Sequence, residues 1–321
     1  MNQYEYAYAV GRIRANENTL MSSSQLQTVI SAPTLEDAVH RITDSGYEVT
    51  DGDWKKALLK RENDAYKLIY EILPDKKMLD SIIIKNDFAN LKVSLKALVC
   101  GKSTDGLFTS PSVYDAEEIK KCVFERKNDS LPECLRDADE AAYKILTQTG
   151  GAQLADSVID KAAMEQMLLL SKKADNDVIR SVVEAFVATS NVKAVYRMIK
   201  AKKDESFMKR AVAECKSFDK DEIIKATQKG EEAFLEFVSH TSLSSLVASL
   251  KSDTRLFEKA CDEYILSAAK ANKNDTFGIA PIIAFYYAIK YEVLNLNIIL
   301  SAKHNGLKED EIRGRVRELY V

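Results

Sequence analysis

An asparagine set in an amphipathic run recurs three times at nearly constant spacing, and no other feature constrains the fold as strongly. The runs are Asp87-Phe88-Ala89-Asn90-Leu91-Lys92-Val93-Ser94-Leu95, Ala188-Thr189-Ser190-Asn191-Val192-Lys193-Ala194-Val195-Tyr196 and Glu292-Val293-Leu294-Asn295-Leu296-Asn297-Ile298-Ile299-Leu300. Asn90, Asn191 and Asn295 lie 101 and 104 residues apart. With them in register, Leu91 aligns with Val192 and Leu296, Leu95 with Tyr196 and Leu300, and Ile84 with Ala185 and Ile289. Gly101 and Gly306 each stand 11 residues beyond their asparagine, where glycine ends a helix in the left-handed conformation. The middle run carries Lys202 there. A period near 100 residues is far longer than a solenoid repeat. It predicts an internal triplication into three similar helical domains, 1–112, 113–212 and 213–321.

A second self-match supports this. Val29-Ile30-Ser31-Ala32-Pro33-Thr34-Leu35 resembles Phe237-Val238-Ser239-His240-Thr241-Ser242-Leu243, 208 residues later. Thr34 and Ser242 each precede an amphipathic run, the position of a helix N-cap. Ile84, Phe88, Leu91, Leu95 and Leu98 lay one apolar stripe along a helix of about 17 residues, roughly 25 Å long. Phe285, Ile289, Val293, Leu296 and Leu300 do the same in the third run. Ser81-Ile82-Ile83-Ile84 is β-branched, but it runs into that stripe without a turn and is read as a helix start. Strand alternation is hard to find, and 11 Gly with 5 Pro are too few for a loop-rich or β-rich chain. The expected class is all-α.

A net charge of −3 gives no electrostatic footprint for nucleic acid, which calls for a clearly basic domain or stripe. Lys55-Lys56, Lys76-Lys77 and Lys172-Lys173 read as solvated helix faces. The five cysteines (Cys100, Cys122, Cys134, Cys215, Cys261) have no Cys-x-x-Cys spacing, so no zinc site or redox pair is expected. They read as buried, reduced, cytosolic thiols. The opening residues lack the basic start and apolar core of a secretory signal. The longest uncharged apolar stretch, Thr276 to Ile289, is 14 residues and holds Gly278 and Pro281, against the roughly 20 needed to cross a bilayer. It reads as a core helix, with no direct membrane span.

No arrangement typical of catalysis, cofactor binding or metal ligation stands out. His40, His240 and His304 are scattered and read as surface or helix-end residues. Gly150-Gly151 reads as a helix-to-helix turn. Asp137, Asp139 and Glu140, like Glu309, Asp310 and Glu311, read as solvated carboxylates. Tyr4, Tyr6 and Tyr8 at the start, with Tyr286, Tyr287 and Tyr291 near the end, suit either core packing or a protein interface.

Together, Tyr8-Ala9-Val10-Gly11-Arg12-Ile13-Arg14 with Leu20, Lys85 through Lys92, and Glu292-Val293-Leu294-Asn295-Leu296 through Val321 resemble the C subunits of V/A-type rotary ATPases, the counterparts of the eukaryotic d subunit. The resemblance covers essentially the whole chain. The residues that carry it, with the repeat, are Tyr8, Arg12, Arg14, Asp87, Asn90, Leu91, Asn191, Val192, Glu292, Asn295 and Leu296. Ala188 departs from the acids Asp87 and Glu292 at the matching positions. The resemblance implies three helical domains in a pseudo-threefold funnel, cytoplasmic and peripheral to the membrane. It implies a rotor role without catalysis or bound nucleotide. The partners are the D and F shaft subunits, received in the hollow, and the membrane proteolipid ring beneath. Torque would pass between ATP turnover and proton or sodium transport. A generic helical-repeat scaffold for protein–protein interaction is the alternative. The repeated asparagines either bond a neighbouring helix terminus within each domain or face the cavity.

Overall fold

The computed structural model describes residues 6–320, and they form two compact units, 6–76 with 248–320, and 77–247. Among the described residues the regular structure is helical throughout, without a strand.

The first unit opens with α1 (Ala7–Glu17), α2 (Ser23–Ile30), α3 (Leu35–Asp44) and α4 (Trp54–Ile72). Their starts are chemically fixed. Ser22 and Gln25 form a capping box on α2, Thr34 accepts from the Asp37 N–H on α3, and Asp53 accepts from the Lys56 N–H on α4. The second unit holds α5 (Asp80–Cys100), α6 (Ala116–Phe124), α7 (Glu133–Thr149), α8 (Ala152–Lys173), α9 (Asp177–Lys200), α10 (Glu205–Ala211), α11 (Lys220–Gln228) and α12 (Glu231–Ser239). There α5 packs on α6, α7 and α8, with α9 and α10 against α8. The chain then returns to the first unit through α13 (Val247–Ser252), α14 (Thr254–Lys270), α15 (Ala280–His304) and α16 (Glu309–Arg313).

The expected helix start at Ser81-Ile82-Ile83-Ile84 is present, with α5 running 21 residues. Gly150 and Gly151 turn α7 into α8 as expected. One expected cap is not an α-helix cap: Thr34 starts α3, but Ser242 precedes a 3-10 turn, Ser244–Leu246, before α13 begins. The spacing matches, yet the first turn is wound more tightly.

α15 is the spine of the first unit, packed against α1, α3, α4 and α14. It runs 25 residues, well past the uncharged stretch visible in the sequence, because Glu292 lies inside the protein with partners of its own. By length and composition α15 is apolar enough to cross a membrane, but 78% of its apolar window is buried in the protein. Tyr286, Tyr287 and Tyr291 all sit in this core. The choice between core and interface therefore falls to core for these three. Tyr6 is also buried, Tyr8 is exposed, and Tyr4 lies outside the described residues.

Two other expectations are corrected. Asp139 is not a solvated carboxylate: it is buried, and the Arg126 guanidinium pairs with it at 2.9 Å. Cys122 and Cys261 are buried as expected, but Cys100 is exposed and Cys134 and Cys215 are half-buried, none in a disulfide.

Candidate functional site

The three repeated asparagines are fully buried, and each makes the same pair of bonds. Asn90 donates from Nδ2 to the Thr109 carbonyl at 3.0 Å and accepts at Oδ1 from the Thr109 N–H at 2.7 Å. Asn191 holds Ala213 in the same way, at 2.8 and 3.0 Å. Asn295 holds Arg317, at 3.0 and 2.8 Å. The held residue lies 19, 22 and 22 positions downstream. A carboxamide carries a donor and an acceptor side by side, so it can satisfy both backbone groups of one residue, much as a neighbouring strand would. Each asparagine clamps the returning chain onto the middle of its own helix.

The surroundings repeat as well. Counting from the asparagine, positions 0, +1, +4 and +7 are buried in all three helices: Asn90, Leu91, Ser94 and Ala97; Asn191, Val192, Val195 and Met198; Asn295, Leu296, Ile299 and Ala302. The helices also stop alike. The backbone N–H of Lys102, Lys203 and Leu307 reaches back five residues to Ala97, Met198 and Ala302. This closing bond belongs to a helix end with a left-handed residue just before the donor. Gly101 and Gly306 supply that residue at φ 63° and 69°, and Lys202 adopts the same conformation at φ 51° although it is not glycine. The middle run thus keeps the geometry while losing the residue that makes it cheap.

A buried acid accompanies each outer clamp. Asp87 accepts from the backbone N–H groups of Val113 and Tyr114, at 3.0 and 2.8 Å. Burial nonetheless pushes its pKa up to about 6; the two N–H bonds pull it down, and nearby Asp80 adds to the rise. Glu292 accepts from the Met21 N–H and the Tyr47 hydroxyl, both at 2.6 Å, with the Arg61 guanidinium 3.7 Å away. Burial raises its pKa too, against the pull of these partners. Burial and the adjacent Glu292 hold the Tyr47 hydroxyl protonated. In the middle run Ala188 is buried in the acid's place, and the acid has moved one turn back to Glu184. Glu184 Oε1 accepts from the N–H groups of Lys216 and Ser217 and from the Ser217 hydroxyl, each at 2.8 Å. Glu184 is the polar residue that aligning the runs by position misses; a shift of four residues on one helix face was the signal that could find it.

Asn90 and Asn191, with Asp87, Leu91 and Val192, lie in the second unit, while Asn295, Glu292 and Leu296 lie in the first. The α1 residues stand apart from the clamps. Tyr8 is 66% exposed and Arg12 is exposed, whereas Arg14 bonds Glu17 at 2.8 and 2.9 Å and also donates to the Lys273 carbonyl.

The three asparagines, Asp87, Glu184 and Glu292 each bond backbone atoms of a distant segment, which defines a class of protein: a helical one in which polar side chains on the helices fix the path of the chain. The chain belongs to the ATP synthase (C/AC39) subunit family, whose sequence profile matches residues 9–315. Its relatives include the C subunit of the V-type sodium ATPase of Enterococcus hirae, 22% identical over 96% of this chain and 97% of the relative. The C subunit of the A-type ATP synthase of Methanocaldococcus jannaschii is 26% identical over 96% and 85%. Its counterpart in the V-type ATP synthase of Thermus thermophilus is 20% identical over 97% and 98%.

Proposed function

We propose that this chain is the non-catalytic central-stalk C subunit of a V/A-type rotary ATPase, coupling a shaft of the D and F subunits to the membrane proteolipid ring. The observation that carries the reading is the family match, which spans nearly the whole chain together with relatives named as C subunits. In this role the protein passes torque between ATP turnover and proton or sodium transport from the cytoplasmic face, peripheral to the membrane. Three domains, 1–112, 113–212 and 213–321, derived from one ancestral unit, form the walls of a funnel around the shaft tip. Support comes from the repeated clamp, helix stop and burial pattern, one set beginning in each proposed domain. The non-catalytic role is supported by the commitment of Asp87, Glu184 and Glu292 to bonds that hold chain segments in place.

The test is light scattering on a sizing column of the purified chain, alone and mixed with the D and F subunits from the same source. A stable peak of one copy each is the expected result. Separate peaks at low salt and micromolar concentration, together with no retention on the isolated proteolipid ring, would overturn it.

A further inference from the structure

Asn305-Gly306 is the one asparagine–glycine pair in the sequence, and it stands where α15 ends. Such a pair is chemically labile in a mobile chain, because the glycine nitrogen can attack the asparagine side-chain carbon and no Cβ on glycine obstructs the approach. Both residues are exposed. No described atom lies within 4 Å of the point where a side chain on Gly306 would begin, so crowding does not hold the reaction back. Hydrogen bonds do. The Gly306 N–H donates to the Lys303 carbonyl at 3.0 Å, which keeps its proton engaged. Asn305 Nδ2 donates to the Ser301 carbonyl at 2.7 Å, which holds the carboxamide back along the helix. Asn305 has ψ 9°, so the Gly306 nitrogen eclipses the Asn305 nitrogen rather than the Cβ that carries the carboxamide. The Leu307 N–H closes the turn on the Ala302 carbonyl at 3.0 Å, and the Leu307 side chain packs against the core of the first unit.

We propose that Asn305 is a latent deamidation site, protected while the end of α15 is closed and converted when it opens. The Gly306 nitrogen bonds to Asn305 Cγ, the Cγ–Nδ2 bond breaks, and ammonia leaves with the proton that the Gly306 amide gives up, so a five-membered succinimide remains. Water then opens either carbonyl of the ring, giving aspartate or isoaspartate. Neither product can rebuild the helix end. The carboxylate of aspartate cannot donate to the Ser301 carbonyl, and it sets negative charge against the negative end of the helix dipole. Isoaspartate routes the backbone through an extra methylene, which breaks the spacing that brings the Gly306 and Leu307 N–H groups to Lys303 and Ala302. A transient opening thus becomes a permanent one. The assignment is independent of the rotor role.

The test follows the full-length chain in mildly alkaline buffer by peptide mass spectrometry, with enzymatic methylation of isoaspartate as a second readout. A reaction confined to the open form runs at the unfolded-chain rate multiplied by the fraction open, so Asn305 should convert at least about tenfold more slowly in the folded protein than in guanidinium chloride. Leu307→Ala leaves the Asn305-Gly306 pair intact but loosens the turn, and it should speed conversion severalfold while circular dichroism shows the fold retained. Asn305→Asp, which is one of the two products, should speed exchange of the Gly306 and Leu307 amides severalfold. Equal rates in the folded and unfolded chain, or no conversion at Asn305 in the denaturant, would overturn the site. An unchanged rate in folded Leu307→Ala would remove the turn as the protecting element. Unaltered amide exchange in Asn305→Asp would contradict a product that holds the helix end open.

Discussion

Glu184 Oε1 lies 2.8 Å from both the backbone nitrogen and the hydroxyl of Ser217, one helical turn before the position where the other two repeated helices carry their acid. The carboxylate anchors the chain just beyond the residue that Asn191 clamps. Replacing Glu184 with Ala strands two N–H groups and should cost about 2–3 kcal/mol, whereas Glu184→Gln keeps an acceptor and should cost about 1 kcal/mol. Urea unfolding of the two variants checks the order; equal effects would mean that a neutral acceptor does not replace the carboxylate at all.

The clamps themselves should be expensive to remove. Asn90→Ala, Asn191→Ala or Asn295→Ala each leaves one N–H and one carbonyl without the side chain that satisfied them, at about 1–3 kcal/mol per stranded group. Each variant should lose about 2–4 kcal/mol in all, and the Thr109, Ala213 or Arg317 amide should exchange faster in its own variant only. Faster exchange at all three sites in every variant would mean that the clamps are not local.

Lys202 stands in a left-handed conformation that a side chain makes costly, by about 1–2 kcal/mol. Glycine removes that cost but adds freedom to the unfolded chain. Lys202→Gly should therefore stabilise by about 0.5–1 kcal/mol net, raising Tm by roughly 1–3 °C for a protein of this size. Gly101→Ala should do the reverse.

Asp87 gives a pH signature with a definite sign. Its pKa is raised from 3.8 to about 6, so the folded protein binds this proton more tightly than the unfolded chain does. The raised value means that the ionised form is penalised in the folded state. That penalty is absent below about pH 3.8 and complete above about pH 6, so the Asp87 contribution to stability falls as pH rises between them. Asp87→Asn should abolish this slope. The stability of the native protein relative to the variant should then decline from about pH 4 to about pH 6, as measured by urea midpoints. A flat difference would contradict the assignment.

The helices were legible because their signals are local. The stripe through Ile84, Phe88, Leu91 and Leu95 is buried as its spacing predicts, and Gly101 ends α5 where its position predicts. The repeated asparagines were visible too, but not what they hold. Thr109, Ala213 and Arg317 are clamped through backbone atoms, and backbone bonds leave no mark on side-chain identity. Glu184 escaped because comparison at fixed register saw only Ala188. Asp139 was misread because its partner Arg126 lies in the preceding loop, and burial by tertiary packing is invisible in a run of charged residues. The left-handed turn at Lys202 had no residue signature at all, since glycine was the expected occupant.

The rotor assignment is tested most directly by watching this protein in the working complex. A fluorophore on exposed Cys100, with half-buried Cys134 and Cys215 changed to Ser, reports its orientation when the complex is fixed through its catalytic head. Single-molecule polarisation during ATP hydrolysis should show the probe turning in steps that keep pace with ATP turnover and with a second probe on the shaft. A Cys100 probe that keeps a fixed orientation while the shaft turns would contradict the account.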